Sequence, residues 1–190
     1  MSEWRGADVE RQRDTGCKQY TGSRRYTRFD TALCSMLLAW DDRGLVRLVL
    51  EAGDEGRTFA VPEDWVREPE GPADAVGQLK AYLAGELREF SLELNPVGTD
   101  FQKRVWDALC RIPYGEVRSY GDLAASLGKP SASRAVGAAN GRNPLPLIVP
   151  CHRVIGADGS LTGYAFGTDI KRRLLEIEGY RFSGGQRVLF

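Results

Sequence analysis

The sequence predicts an α+β protein, in which a small N-terminal domain containing a sheet precedes a mostly helical C-terminal domain. Two apolar segments within residues 27–51 have the composition of β-strands. From Ala73 onward apolar residues recur at helical spacing, and four shorter segments of this kind follow Gly98. A Pro/Gly linker at 95–98 separates the two patterns. We therefore predict an N-terminal α/β domain over 27–94 and a C-terminal domain over 95–190.

In the N-terminal half, the pattern predicts strands over 27–40 and 44–51, joined by a turn at 41–44 that contains Gly44. Residues 52–72 are rich in Gly, Pro and acidic residues and predict a loop. Helical spacing over 73–89 predicts a helix that Gly85 ends. Residues 90–94 predict a short extended piece. Residues 1–26 are polar and Arg-rich and have no period, so we predict a mobile tail.

In the C-terminal half, the first predicted helix covers 99–110 and is capped by Thr99 or Asp100. Ser119 is expected to cap a helix over 120–127, and the break at 128–130 precedes a helix that begins at Ser131 or Ser133 and reaches residue 139. A last helix is predicted over 169–178. The two short helices with a Gly turn between them match a helix-turn-helix, although many helical cores contain such pairs.

Composition excludes some classes of protein. The chain has 190 residues, of which 42% are hydrophobic and 27% charged, so it is expected to be globular and to bury a sizeable core. No apolar run approaches the roughly 20 residues that a membrane span needs, and the first residues lack the apolar stretch of a signal peptide. We therefore expect a cytoplasmic protein without a membrane partner.

The distribution of charge favours a polyanionic partner for the second half. Residues 29–99 carry 6 basic and 14 acidic residues, a net charge of −8. Residues 100–190 carry 13 basic and 8 acidic residues, a net charge of +5. The whole chain is neutral, so ordinary solvated surface remains an alternative interpretation.

Cys151 is the strongest candidate nucleophile. The thiolate is the reactive form, and a free thiol with a pKa of about 8.5 needs a base or a positive environment. His152 and Arg153 follow directly, and a proline-bracketed run at 144–150 precedes. Glu178, at the end of the last predicted helix, is a candidate to orient the imidazole. From these residues alone, an inert buried Cys–His pair stays open.

The other cysteines indicate no second site. Cys17, Cys34 and Cys110 lie far apart, with no CxxC spacing, so a disulfide framework is not expected. His152 is the one histidine of the chain, which argues against a zinc site.

Taken together, the motifs resemble those of the O6-alkylguanine-DNA alkyltransferases, also called methylated-DNA–protein-cysteine methyltransferases. The run 150–154 is their most specific part. The resemblance is strong over about 95–180 and looser over 27–94. It includes, at family-like spacings, Phe101-Gln102, Val105-Trp106, residues 112–116, Ser119-Tyr120, residues 134–137, Asn143-Pro144, Gly163-Tyr164, Lys171, Leu174-Leu175 and Glu178-Gly179.

The resemblance implies direct-reversal DNA repair. An alkyl group, mainly methyl, would move irreversibly from O6 of guanine in double-stranded DNA to a cysteine that reacts once, after the nucleotide leaves the base stack. O4 of thymine is an open second substrate. No metal and no organic cofactor are implied. The protein would be a monomer in solution, with cooperative binding on DNA left open, and residues 27–94 would form a supporting ribonuclease H-like domain.

Residue roles carry over by position. The resemblance implies that Cys151 accepts the alkyl group, that His152 acts as a base through a water molecule, and that Glu178 holds the imidazole. Asn143 would form the hinge between the DNA-binding helices and the active site. Tyr120 would push the flipped nucleotide and help to protonate the departing guanine.

Other positions are expected to contact DNA or the alkyl group. Arg134 would fill the gap left in the duplex, and small residues on its helix would permit close approach to the minor groove. The expected DNA contacts are Tyr120, Gly121, Lys129, Ala132 and Arg134, and the expected pocket residues are Val154, Tyr164, Ala165 and Phe166. Many family members have a small residue at the position of Phe166, which leads to the hypothesis that Phe166 narrows the pocket and disfavours large adducts.

Three other functions compete with repair. A protein that senses alkylated bases without repairing them would lack the cysteine, so Cys151 argues against it. A transcriptional regulator that uses the helix-turn-helix would need a specific operator and a dimer interface, of which the sequence gives no sign. A cysteine hydrolase with Cys, His and Glu would turn over repeatedly.

Overall fold

The N-terminal half of the computed structural model, which describes residues 23–51 and 59–182, contains a four-stranded sheet. Its strands are β1 (Arg25–Asp30), β2 (Ser35–Asp41), β3 (Gly44–Glu51) and β4 (Val66–Arg67), in the order β3-β2-β1-β4. The first three strands are antiparallel and β4 is parallel to β1. Helix α1 (Ala73–Leu83) follows, and Gly85 just beyond it has a φ of 75°. The α+β prediction is confirmed, and residues 1–22 of the predicted tail lie outside the described residues.

The prediction of one strand over 27–40 is wrong, because the chain reverses at 31–34. The Thr31 hydroxyl accepts hydrogen bonds from the amides of Leu33 and Cys34 and donates to the Cys34 carbonyl, which closes a tight turn. Asp30 therefore pairs with Ser35 across a hairpin. The sheet also takes in Arg25 and Tyr26 from the predicted tail, and β4 lies inside the predicted loop over 52–72.

The C-terminal half contains four helices in the described residues: α2 (Asp100–Cys110), α3 (Tyr120–Ser126), α4 (Ser133–Gly141) and α5 (Thr168–Ile177). Short strands β5 (Arg118–Ser119) and β6 (Val154–Ile155) pair in parallel. Thr99 caps α2 and Ser119 caps α3, each in a reciprocal capping box. Helix α4 begins at Ser133, one of its two predicted starts, directly after a 3₁₀ turn at Pro130–Ala132, and no side chain caps it. None of the helices in the described ranges is long and apolar enough to cross a membrane.

The edge strand β3 joins the two halves. Its Leu45 makes two backbone hydrogen bonds with residues 93–95, where the linker begins: its N–H donates to the Glu93 carbonyl (2.9 Å), and its carbonyl accepts from the Asn95 amide (2.8 Å). Further along β3, the Leu48 amide donates to the Pro144 carbonyl at 2.8 Å. Side chains of both halves share one apolar core, including Leu38, Leu79, Val105, Leu109 and Leu145. The sheet is therefore bonded directly to the segment that leads to Cys151.

Candidate active site

The chain reaches Cys151 through a rigid segment that Asn143 holds. The Asn143 side-chain Nδ2 donates to the Val149 carbonyl at 2.7 Å, and its side-chain Oδ1 accepts from the Leu145 backbone amide at 3.0 Å. Between these contacts Leu147 has a φ of 69°, a conformation that costs a residue other than glycine roughly 1–2 kcal/mol. Cys151, 4% exposed, opens a 3₁₀ turn at Cys151–Arg153. The contacts of Asn143 before the cysteine and the 3₁₀ turn that begins at it therefore fix the position of the thiol.

His152, Arg153 and Glu178 form a buried network behind the thiol. Glu178 Oε1 lies 2.9 Å from His152 Nε2, and the Arg153 guanidinium donates to both carboxylate oxygens at 2.8–3.0 Å. The Gly115 amide donates to Oε2 at 3.0 Å, and Arg153 also donates to the Ile112 carbonyl. Both oxygens of the Glu178 carboxylate therefore accept hydrogen bonds, which is what a buried charge requires.

Tyr82 is a member of this network that the sequence analysis missed. It comes from α1 in the N-terminal half and is fully buried. Its hydroxyl donates to Glu178 Oε1 and lies 3.2 Å from His152 Nε2. Burial, followed by the charge of Glu178, raises the pKa of Tyr82, so the phenol keeps its proton. The hydroxyl thus holds the carboxylate against the imidazole.

The network fixes the protonation state of His152. Burial lowers the pKa of the imidazole despite the neighbouring carboxylate, so the ring is neutral at pH 7. We assign its proton to Nε2, because that nitrogen faces the Glu178 carboxylate. His152 Nδ1 is then a buried basic nitrogen, and it has no hydrogen-bond partner among the described residues. Burial alone would raise the pKa of Glu178, but His152 and Arg153 outweigh it and lower the pKa to about 2.

Lys171 supplies positive charge beside the thiol, a role that the sequence analysis did not assign to it. Burial raises the pKa of Cys151, while a hydrogen bond from Asn143 and the charge of Lys171 act in the opposite direction. Lys171 has no exposed surface, and its ammonium donates to the Thr162 carbonyl at 2.9 Å. Burial lowers the pKa of Lys171 to about 8, so most of it is still charged at pH 7.

A test of this charge is the substitution Lys171→Met. Loss of the ammonium is expected to raise the pKa of Cys151 further and to slow reaction of the thiol with iodoacetamide at pH 7 about tenfold. In the wild type, the advantage should fade above about pH 8 as Lys171 loses its proton. Lys80→Met removes an exposed lysine of α1 and serves as the control. If thermal stability falls while the pH–rate profile keeps its midpoint, Lys171 acts on the fold alone.

Cys151 opens into a cavity of about 230 Å³. The expected pocket residues Tyr164, Ala165 and Phe166 line it, and the Tyr164 and Phe166 rings meet edge to face with centroids 5.5 Å apart. Val154, the fourth expected pocket residue, does not line it. As part of β6 it pairs with Arg118 and is fully buried in the core, so it lies behind the cavity.

The predicted DNA-contact residues lie on α3, α4 and the turn between them. Tyr120 is the first residue of α3, half-buried, with its hydroxyl 3.5 Å from the Thr162 carbonyl, so it lies between α3 and the loop that lines the cavity. Arg134, in the first turn of α4, is exposed, as are Gly121 and Lys129. Ala132 is half-buried in the 3₁₀ turn. The structure therefore brings Tyr120 to the site and leaves Arg134 on the surface.

Fold and site together define a class: an α+β protein with a buried nucleophilic cysteine that faces a cavity and a neighbouring histidine held by a glutamate. Residues 100–180 match the family model described as 6-O-methylguanine DNA methyltransferase, DNA binding domain. Residues 25–96 match its companion, described as the ribonuclease-like domain. The chain belongs to the 6-O-methylguanine DNA methyltransferase family.

Individual relatives are similar to this protein over most of its length. The methylated-DNA–protein-cysteine methyltransferase of Methanosarcina acetivorans is 53% identical over 154 residues, which cover 81% of this chain and 97% of the relative. The crystal structure of the Mycobacterium tuberculosis O6-methylguanine methyltransferase is similar with a TM-score of 0.75 at 48% identity, over 85% of this chain and 96% of that one. A structure of the same mycobacterial protein in complex with DNA gives a TM-score of 0.74 at 49% identity, over 81% and 92% of the two chains.

Proposed function

We propose that this protein repairs alkylated double-stranded DNA by taking an alkyl group, mainly methyl, from O6 of guanine onto Cys151 in a single, irreversible reaction. The observation that carries the proposal is the buried thiol of Cys151, which faces the cavity. The next residue is the neutral His152, whose Nε2 is hydrogen-bonded to Glu178. The names of the relatives point to the same reaction.

The geometry supports a proton path away from the thiol. His152 Nδ1 is buried and basic, and a water molecule between it and Cys151 would satisfy this nitrogen and carry the thiol proton to it. Glu178 and Tyr82 stabilise the imidazolium that results. As sulfur bonds to the alkyl carbon, the bond from that carbon to O6 breaks and its electron pair stays with guanine. We propose that the Tyr120 hydroxyl, which lies 3.5 Å from the Thr162 carbonyl next to the loop that lines the cavity, helps to protonate the base.

The target oxygen points into the base pair, so the nucleotide must leave the duplex to reach a buried thiol, at a cost of a few kcal/mol. We propose that α3 and α4 bind the DNA and that Arg134 enters the space vacated by the nucleotide. Arg134 is exposed and lies on a helix otherwise formed mainly of small residues, which permits close approach. The net charge of +5 over 100–190 favours a polyanionic partner for this half of the chain. The proposal also includes three expectations from the sequence: O4 of thymine as a second substrate, a monomeric state in solution and a cytoplasmic location.

The direct test is a mass measurement. The protein is incubated with a duplex that carries one O6-methylguanine, and the intact protein is weighed. The expected result is one added methyl group, located at Cys151 by peptide mapping, with guanine restored in the DNA. A protein that binds the lesion tightly but keeps its mass would instead be a sensor, and repeated hydrolysis of an ester would identify a cysteine hydrolase.

Phe166 is expected to limit the size of the transferred group. Its ring lines the cavity against Tyr164, so Phe166→Gly should speed the reaction with O6-benzylguanine about tenfold or more. Transfer of methyl should change less than about threefold, because a methyl group does not need that space. Rates of thioether formation with both substrates measure the effect. Equal rates on the two substrates in the wild type would refute the size hypothesis.

A further inference from the structure

Three buried side-chain polar atoms among the described residues have no hydrogen-bond partner, and all three belong to residues at Cys151. They are Asn140 Oδ1, His152 Nδ1 and the Tyr164 hydroxyl. Asn140 and Tyr164 line the cavity that contains Cys151, and His152 follows it in the chain. A buried polar group without a partner is costly and points to a bound water molecule or ligand. The water proposed above for His152 Nδ1 accounts for one of these atoms and leaves the two at the cavity.

The free atom of Asn140 is an acceptor whose orientation is fixed. Asn140 is 3% exposed and lies in the last turn of α4. Its Nδ2 donates to the Cys151 carbonyl at 3.5 Å. The reverse orientation of the side-chain amide would bring two oxygens together, so we assign the nitrogen to this contact and the free position to the oxygen. The preceding residue is held as well, because the Ala139 carbonyl accepts from Trp106 Nε1 at 3.0 Å. The acceptor is therefore fixed relative to the residue that carries the nucleophile.

The proposed substrate has one group that can donate to such an acceptor. Alkylation of O6 removes the proton from N1 of guanine, so that O6 and the ring nitrogens N1, N3 and N7 offer only lone pairs. The 2-amino group is then the one N–H donor of the base. O4-alkylthymine has no N–H donor at all. An acceptor in the cavity therefore favours a base with a 2-amino group and disfavours a base that brings a lone pair to the same place.

We propose that Asn140 is a specificity-determining residue whose Oδ1 accepts a hydrogen bond from the 2-amino group of the flipped guanine. The inference rests on the proposed alkyl transfer and concerns recognition of the base, not of the alkyl group. It makes this protein favour O6-alkylguanine over O4-alkylthymine, even where both carry the same methyl group. Because Nδ2 of the same side chain donates to the Cys151 carbonyl, the contact also places the base relative to the nucleophile.

The Tyr164 hydroxyl is the other free group at the cavity. A hydroxyl can donate as well as accept, so it can bond to any of the acceptors of the base, whereas an amide oxygen can only accept. The single donor of the base is therefore assigned to Asn140, and its acceptors are left to Tyr164. A water molecule that stays on Asn140 Oδ1 is the alternative partner, and the experiment distinguishes it from the base.

The experiment compares three duplexes that carry O6-methylguanine, O6-methylhypoxanthine or O4-methylthymine. O6-methylhypoxanthine is O6-methylguanine with hydrogen in place of the 2-amino group, so the ratio of these two rates reports that group alone. Single-turnover rates of thioether formation are measured for the wild type, for Asn140→Leu, which keeps the size without the acceptor, and for the smaller Asn140→Ala. Gln78→Leu is the matched control, because it makes the same change on α1, where Gln78 bonds to Asp74 and to the Ser91 backbone.

In the wild type, O6-methylguanine should react about tenfold faster than O6-methylhypoxanthine. Both Asn140 variants should bring this ratio to about one, because neither offers an acceptor to the amine. They should also raise the rate on O4-methylthymine relative to O6-methylguanine about tenfold. Gln78→Leu should keep the wild-type ratios.

Three results would overturn the proposal. An unchanged ratio in both Asn140 variants would show that another group binds the amine. Rates that fall equally on all three substrates would show that Asn140 only holds the Cys151 backbone. A ratio of about one in the wild type would show that Oδ1 keeps its water. Absence of methyl transfer from O6-methylguanine in the wild type would instead refute the proposed function itself.

Discussion

Replacing Cys151 with serine is expected to abolish alkyl transfer and to leave binding to the lesion largely intact. A serine hydroxyl remains protonated at neutral pH and is a far weaker nucleophile than a thiol. Its smaller oxygen fits the same buried position at the start of the 3₁₀ turn, so the surrounding contacts of Asn143 are kept. We expect the transfer rate to fall by more than about a thousandfold, a larger change than for any other single substitution described above.

Transfer is measured by following radiolabelled methyl from DNA to protein, and affinity by titrating a fluorescent duplex that carries the lesion. Cys34→Ser is the control, because Cys34 is a free thiol whose pKa is raised to about 11 by burial and by Glu51. That variant should retain the wild-type rate. Label that still reaches the Cys151→Ser protein would show that a different residue accepts the alkyl group.

Glu178→Gln is expected to affect both stability and chemistry. The amide keeps the shape of the side chain but leaves the buried Arg153 without a counter-ion, and one of its oxygens becomes an NH₂ group that opposes existing donors. Breaking a buried pair in this way costs about 3–5 kcal/mol of unfolding free energy. His152 also loses the partner that stabilises its protonated form, so the transfer rate should fall by at least about a hundredfold. Urea denaturation and single-turnover rates at pH 7 measure the two effects.

The pH dependence of the unfolding free energy distinguishes the contribution of the Glu178 charge from that of the side-chain shape. In the folded wild type the pKa of Glu178 lies at about 2, below its ordinary value of 4.5. The network therefore contributes stability that is complete above about pH 4.5 and is lost as the pH falls towards 2. Glu178→Gln should flatten this part of the curve, whereas Glu176→Gln, at an exposed position of α5, should leave it unchanged. A curve of unchanged slope in Glu178→Gln would mean that the carboxylate is not the stabilising charge.

Features encoded by neighbouring residues were predictable from the sequence. Thr99 and Ser119 cap their helices through contacts only three residues away, and the alternative cap at Asp100 is not used. Gly85 follows the end of α1 as expected. The turn at 31–34 escaped prediction because its hydrogen bonds come from a threonine side chain, in a stretch without Gly or Pro.

Long-range contacts were less accessible to sequence reasoning. Tyr82 lies 70 residues from His152 and 96 from Glu178, and its position in α1 looks like that of any core aromatic residue. The resemblance named Lys171 but gave it no task, since its burial beside Cys151 depends on the packing of α5. Val154 was assigned to the pocket by its position in the motif, although β6 pairs with β5 and the Val154 side chain lies in the core.

The hydrogen bond between Leu48 and Pro144 also bears on self-association. A sheet edge with free backbone groups can recruit a strand from another molecule and so start aggregation. On the β3 side, Leu48 is already bonded to a segment in which Pro144 and Pro146 have no N–H to offer a further strand. The opposite edge strand, β4, is two residues long and carries the exposed Arg67. The described sheet is therefore protected at both edges, which favours a protein that stays dispersed at high concentration.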